Sequence, residues 1–391
     1  MTQITSNIEL LPEHIIDQIK AGEVVERPAS LIKEIIENSI DAGSTHIEIQ
    51  IVGEGMELIS IKDNGHGMSF PDLPYAFCRH ATSKISRFED LYRLHTFGFR
   101  GEALASISAI SKISCTSTPE NNELSGGKIT LEAGHVTSHS QEKMGSHGTS
   151  IYIKDLFYNT PARLKFIKSA NTEKNAIKRI IESFIISNPS ITFSIRWEDQ
   201  DKEIYPAVTK AEIQKRVKQI FYKNKKNLDV ITIEKEYEGH KIIGFFSNES
   251  VRSHNARKQF LFANQRLFID KQIHQLVARS MESRGWHNGA GSYCLFIQTP
   301  PSQIDVNVHP NKTYIKFLKH SLILSLISSE IKDKCHKVEL VDQIESSHLS
   351  SQSLSQDPTP LSHYINSPYQ NNHESRPSRD LFEPRESKPY I

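Results

Sequence analysis

The sequence predicts a mixed α/β chain of two domains followed by a disordered tail, and three observations predict it. Strand-like and helix-like periodicities interleave along most of the 391 residues. The charge changes sign part-way: residues 1–150 carry 12 basic and 20 acidic side chains, and residues 151–330 carry 28 and 17, so the formal total of +1 is a cancellation. From about Ser346 the composition turns to Ser, Pro, Asn and Gln with few branched aliphatics, a mixture that cannot bury enough apolar area to offset ordering entropy. The length exceeds what one hydrophobic core serves, and the charged, turn-forming stretch WEDQDKEIYPAVTK marks a boundary. The expected division is 1–205, 206–340 and a tail over 341–391.

Each element has its own signal. Helical spacing of apolar residues predicts helices near 12–21, 28–41, 101–110, 171–186, 209–221, 270–284 and 319–337. Runs of β-branched residues with period two predict strands near 45–52, 56–62, 111–117, 127–132, 149–153, 191–197, 229–234, 240–247, 258–263, 292–298 and 303–308. No stretch is long and apolar enough for a membrane span, and the N-terminus lacks the basic-then-apolar pattern of a signal peptide, so a cytoplasmic protein is expected. The four cysteines have neither C-x-x-C nor zinc-ligand spacing, and each is expected to be a small buried apolar residue.

Candidate chemistry concentrates in the acidic block. In PASLIKEIIENSIDAG, Leu31, Ile32, Ile35, Ile36 and Ile40 make a buried stripe, while Glu34, Asn38 and Asp41 share another face. Alone, such a polar stripe is equally a solvated surface. Next, Asp63-Asn64-Gly65-His66-Gly67 ends a strand; its carboxylate could accept a hydrogen bond from an exocyclic amine, although a turn between strands explains the same residues. Gly98-Phe99-Arg100-Gly101-Glu102 opens a helix whose first N–H groups could face a phosphate. Between these, Arg79 to Ile85 (RHATSKI) sits in a long connection of the kind that forms functional lids. Neither the Walker phosphate loop nor the Rossmann fingerprint occurs.

Glu34/Asn38, Asp63 to Gly67, Gly98 to Leu104 and Gly148-Thr149 stand in the order of the four motifs of the superfamily of gyrase, the ninety-kilodalton heat-shock chaperone, histidine kinases and MutL. Within it, AGEVVERPAS, RHATSKI, GFRGEALASIS, LFYNTPARLKF and DVNVHPNK resemble the MutL family of DNA mismatch-repair ATPases over roughly residues 8–335. The resemblance implies an α+β fold: a two-layer helix/sheet sandwich that binds ATP, then a basic α/β domain with a left-handed crossover.

It also implies roles. Glu34 would be the general base for the water attacking the γ-phosphate, with Glu37, pointing away from the Glu34/Asn38 direction, as the rival. Asn38 would hold Mg²⁺, Asp63 would read the adenine amine and Gly67 would let the base lie close. Thr82, Ser83 and Lys84 would belong to a lid ordering over ATP. Gly98, Phe99, Arg100, Gly101, Glu102 and Thr149 would complete the phosphate and nucleotide contacts. Lys312, in His309-Pro310-Asn311-Lys312, would reach from the second domain to the γ-phosphate and sense ATP against ADP.

In the basic block, Arg163, Lys165, Lys168 and Lys271 are candidate DNA contacts, and Lys165, Lys168 and Lys271 match the family's groove positions. With no base-reading motif, binding would be sequence-nonspecific and salt-sensitive. The expected function is a weak Mg-dependent ATPase of the mismatch-repair mediator type, cytoplasmic and nucleoid-associated. ATP would drive N-terminal pairing of two chains, clamp DNA and engage a mismatch-recognition protein and a downstream nuclease or helicase. The alternative is a clamp that binds ATP without hydrolysing it. Neither a C-terminal dimerisation domain nor its D-Q-H-A-x-x-E-type endonuclease motif is present, so nicking is not expected of this chain.

Overall fold

Pro28 opens the helix that carries the candidate base, in the first turn, where backbone N–H groups have no partner within the helix. The structure is a computed structural model, which describes residues 9–334 except 13–15, 17–21, 23–24, 85–97, 99–100, 122–124, 143–144, 199, 224–228, 248–256, 283–290 and 306–313. All described elements fall within the unit Met1–Glu339. The expected tail lies outside the described residues.

Helix α1 (Pro28–Asp41) buries Leu31, Ile32, Ile35 and Ile36 to at most 4% exposure, the face its period predicted. Burial of each such side chain contributes about 1.5–3 kcal/mol. Strand β1 (His46–Val52) follows, turning Ile47, Ile49 and Ile51 inward, and β2 (Leu58–Asp63) pairs with it antiparallel. After α2 (Leu73–Ala76) and α3 (Ala103–Ala109) come β3 (Lys112–Thr118), β4 (Gly127–Glu132), β5 (His135–Gln141) and β6 (Gly148–Lys154). Then come α4 (Pro161–Leu164), α5 (Ala170–Ser187), β7 (Thr192–Trp197) and β8 (Glu203–Tyr205).

These eight strands form one sheet ordered β5-β4-β3-β6-β2-β1-β7-β8. Only β1 and β7 run parallel; the other neighbours are antiparallel. α1 touches both α3 and α5, and the three make a helical layer over the sheet, with a core dominated by isoleucine. The layer is pinned at its edge by Arg27, which meets the buried carboxylate of Glu173 through two contacts of 3.0 Å. The two-layer sandwich is thus the observed arrangement.

The rest builds a second sheet. Helix α6 (Ile213–Tyr222) precedes β9 (Val230–Tyr237), β10 (His240–Ser247), β11 (Gln259–Ala263) and β12 (Arg266–Phe268). Helix α7 (Lys271–Glu282), β13 (Tyr293–Gln298), the short pair β14 (Ile304–Asp305) and β15 (Lys316–Phe317), and helix α8 (320–334) complete it. The order is β12-β11-β13-β10-β9, and β11 runs parallel to β13 across the connection that contains α7.

Both faces of this sheet are covered. Phe245, Phe260, Phe262 and Cys294 join Val217 and Ile220 of α6 in the first core, whereas Phe246, Leu261, Ala263, Tyr293 and Leu295 join Ile273 and Val277 of α7 and Ile323 and Ile327 of α8 in a second. Successive residues of a strand point to opposite faces, so each strand serves both cores. The first core therefore runs past Tyr205, on both sides of the charged stretch in the sequence.

Arg216 of α6 locks that passage. It is fully buried, and its guanidinium donates to the carbonyls of Ile185 (3.1 Å), Pro189 (3.3 Å), Ile191 (3.3 Å), Tyr205 (3.5 Å) and Pro206. Burial pushes its pKa down to about 10. Four strands, β5, β8, β12 and β15, were not expected from the sequence. Of the cysteines, Cys115 and Cys294 are buried as expected, Cys78 is exposed against that expectation, and Cys335 lies outside the described residues.

Candidate functional site

A cavity of about 1560 Å³ opens beside α1. One wall is the polar face of that helix: Glu34, Asn38 and Asp41 look into the cavity while Leu31, Ile32 and Ile36 are in the core. Asp63 and Gly67 enter from the end of β2, Thr149 from β6, Thr82, Ser83 and Lys84 from the connection after α2, and Gly98, Gly101 and Glu102 from the approach to α3. Residues more than a hundred positions apart thus meet in one space. Phe99, Arg100 and Lys312 lie outside the described residues.

Asp63 forms the deep end. It is 8% exposed, and its two carboxylate oxygens accept from the Ser39 hydroxyl at 2.8 Å and the Gly65 amide at 2.9 Å. Burial raises its pKa above the ordinary carboxylate value, against the opposing pull of the Gly65 and Ser39 hydrogen bonds. A part-desolvated acceptor of this kind suits one donor group of a bound base. Gly67 beside it has φ of +66°, and a Cβ there would stand 2.0 Å from the Thr118 carbonyl oxygen, so no larger residue fits the turn. Ser117 ties this end together: it accepts from the Met68 amide at 2.8 Å and its hydroxyl lies 2.9 Å from that of Thr149.

At the other end Lys84, from the stretch expected to form a lid, is seated on α1. The Lys84 ammonium donates to Asn38 Oδ1 at 2.9 Å and to Asp41 Oδ2 at 2.6 Å, and the Gly98 amide also reaches Asp41 Oδ2 at 3.3 Å. The Lys84 amide donates to Thr82 Oγ1 at 3.2 Å. Gly101, with φ of +62°, packs so tightly on the Ala81 carbonyl that a Cβ would come within 2.3 Å of its oxygen, which fixes the phosphate-loop candidate against the lid candidate. His80 and Glu102 span the same contact at 3.5 Å.

Two oxygens that gather an ammonium are a donor set suited to a hard cation, so Asn38 and Asp41 fit Mg²⁺ chemically. No group of three or more His, Cys, Asp or Glu side chains placed to hold a metal occurs among the described residues, so the remaining ligands would come from nucleotide oxygens and water.

Glu34 and its rival are now distinguishable. Glu34 lines the cavity and is 23% exposed at its side chain, whereas Glu37 is 5% exposed overall, does not line the cavity and lies in an ion pair with Lys33 at 3.0 Å. Lys33 also meets Glu34 Oε1 at 3.4 Å. Burial opposes the Lys33 charge, yet Glu37 and then Glu34 pull its pKa above the ordinary lysine value.

Among the basic candidates, Lys165, Lys168 and Lys271 are exposed. Arg163 is not presented to solvent in the same way: its Nη1 donates to the Val25 carbonyl at 3.2 Å, and its guanidinium lies where a Gly22 side chain would be. That geometry braces the segment before α1 and takes Arg163 out of the exposed set. Sequence reasoning did not assign Asp41 or Ser117 to the site. Asp41 shares the stripe of Glu34 and Asn38, which was the available signal; Ser117 has none, since only strand pairing brings it to Thr149.

The family model for "Histidine kinase-, DNA gyrase B-, and HSP90-like ATPase" matches residues 26–156, and that for "DNA mismatch repair protein, C-terminal domain" matches residues 195–336. The DNA mismatch repair protein MutL of Phocaeicola vulgatus is 35% identical over 339 residues, covering 86% of this chain and 53% of that protein. This chain belongs to the MutL family. The MutL of Christiangramia forsetii is 39% identical over 325 residues, covering 83% of this chain and 52% of its own length. The fold is that of the Aquifex aeolicus MutL ATPase domain complexed with ADP, with a TM-score of 0.55, 24% identity, and coverage of 79% of this chain and 98% of the other. This MutL-family chain spans about half the length of the curated relatives it matches. It is a mixed α/β chain with a nucleotide-binding ATPase domain, and no helix among its described residues is long and apolar enough to cross a membrane.

Proposed function

We propose that this chain binds and slowly hydrolyses ATP in the α1 cavity, and that the nucleotide switches its engagement with DNA during mismatch repair. The observation that carries the reading is the convergence of Glu34, Asn38, Asp63, Gly67, Lys84 and Thr149 on a single cavity large enough for a nucleotide. Asp63 accepts the exocyclic amine of adenine. Glu34 takes the proton of the water whose oxygen bonds to the γ-phosphorus as the bond to the β–γ bridging oxygen breaks and ADP leaves. When bound, Mg²⁺ would neutralise phosphate charge, and Asn38, with Asp41 nearby, would hold it. Lys84 leaves Asn38 and Asp41 and turns toward phosphate oxygen, so the lid exchanges an internal contact for one with the ligand.

Residues 1–205 would form the ATP-binding domain and 206–340 the second domain, from which Lys312 senses the γ-phosphate. Lys165, Lys168 and Lys271 meet the DNA backbone without reading bases. Two chains pair through their N-terminal regions when ATP is bound, and the closed form engages a mismatch-recognition protein and a downstream nuclease or helicase. Phosphate release by wild type and Glu34→Ala, with ATP binding measured separately, tests the core of this. A general base contributes about 10²–10⁴-fold, so Glu34→Ala is expected to lose at least about 100-fold while still binding ATP. Equal, background-level release from both proteins would instead support the non-hydrolytic clamp.

A further inference from the structure

Lys33 immediately precedes the base on α1, and it is neither a surface lysine nor part of the nucleotide cavity. Its side chain is 16% exposed and its ammonium lies between two carboxylates, 3.0 Å from Glu37 Oε1 and 3.4 Å from Glu34 Oε1. Beyond it is a second, small cavity of about 20 Å³, bounded by Glu37, by Ser183 and Ser187 of α5 and by Gln265 and Leu267 around the β11–β12 turn. That is room for about one water molecule, so on the Glu37 side Lys33 is largely shielded from solvent.

The division of labour between the two carboxylates is geometric. Glu37 faces the core side and takes the shorter contact, which anchors Lys33. Glu34 faces the nucleotide and is held by one oxygen only; among the described residues its Oε2 has no hydrogen-bond partner. A glutamate loses rotamer freedom when fixed, and a base that must meet a water in one orientation gains from having that loss already taken before substrate arrives. Holding one carboxylate oxygen leaves the other to accept the proton.

We infer that Lys33, anchored by Glu37, is a positioning residue that fixes Glu34 for attack on the γ-phosphate. This rests on the reading of Glu34 as the base. Lys33 acts through Glu34 and touches no substrate, so its loss lowers kcat and leaves nucleotide affinity in place.

The experiment compares wild type, Lys33→Arg, Lys33→Gln, Glu34→Ala and the double variant Lys33→Met with Glu37→Gln, each as the full chain. Removing both charges together avoids leaving Glu37 buried and uncompensated. Phosphate release gives kcat, and titration with a fluorescent ATP analogue gives Kd. The double variant should bind the analogue within about threefold of wild type and lose at least about tenfold in kcat, since misplacing a reacting group by about 1 Å costs up to about 100-fold. Lys33→Arg should keep kcat within about threefold. If the double variant fails to fold, Lys33→Gln, which retains a donor for Glu37, carries the same measurement with the same expectation. A folded double variant or Lys33→Gln with wild-type kcat and wild-type Kd overturns the inference. Hydrolysis by Glu34→Ala at the wild-type rate would overturn the base reading instead, so the two failures are distinct.

Discussion

The acidic nucleotide region and the basic second region use charge in opposite ways. In the first, charged side chains converge: Glu34, Asp41, Asp63 and Lys84 come from three separate stretches and face one cavity. In the second, several of the cations that give residues 151–330 their excess are already engaged by the protein's own groups, some buried and some at the surface. Arg216 is buried among carbonyls, Arg179 donates to the Gln259 carbonyl at 2.6 Å, and Lys258 meets Glu182 at 2.6 Å. Arg163 is turned to Val25, and Lys218 is paired at the surface with Asp229. A net charge counted along the sequence therefore overstates the cationic surface. What it leaves exposed for a phosphate backbone includes Lys165, Lys168 and Lys271.

The sharpest way to break this comparison is to treat an internal cation as if it were a surface one. Arg216→Met should lower the unfolding free energy by about 3 kcal/mol, because several buried carbonyls lose their donor at once, each worth about 1 kcal/mol. Chemical denaturation measures it, and a loss below about 0.5 kcal/mol would place Arg216 among the replaceable surface cations. Next in size is the surface set. Lys165→Glu with Lys271→Glu should weaken binding to DNA of any sequence by at least about tenfold, and wild-type affinity should fall by an order of magnitude or more between roughly 50 and 200 mM salt. Affinity that is flat across that range would remove the phosphate-contact reading.

The smallest effect sharpens the acidic side. Because burial raises the Asp63 pKa, its contribution to stability is present below the ordinary carboxylate value and is lost as pH rises through the raised value. Without nucleotide, the stability of wild type relative to Asp63→Asn should therefore fall over that window, by at most about 1.4 kcal/mol per pH unit. Melting curves of both proteins across the window measure this difference. A difference that rises with pH would mean the Ser39 and Gly65 hydrogen bonds outweigh desolvation.

Legibility from sequence followed the physics of each residue. The α1 stripe could be read because a helix with one buried face needs Leu31, Ile32, Ile35 and Ile36 at that spacing, and the polar face with Glu34 and Asn38 follows from the same period. Asp63 and Gly67 were visible as a motif, but a turn between strands explained them equally; only the structure puts both on the cavity beside α1 and Gly67 against the Thr118 carbonyl. Strand β5 could not be read: His135 to Gln141 has one branched aliphatic, and the strand is exposed on both faces, so its place depends on backbone pairing with β4. Neither could the role of Lys33 be read, since a lysine beside two glutamates on a helix is an ordinary surface pattern until the burial of that face is known.

By itself the sequence determined the elements with a strong period, the order of the nucleotide motifs and the opposed charges of the two regions. These depend on residues near one another in the chain, where backbone geometry alone decides which side chains share a face. The tertiary structure decided which glutamate lines the cavity, which cations are engaged by the protein's own groups, and that the first core continues past Tyr205 into the second sheet. Those outcomes depend on contacts between distant segments: Glu37 is excluded from the cavity because α5 and the β11–β12 turn cover its side of α1.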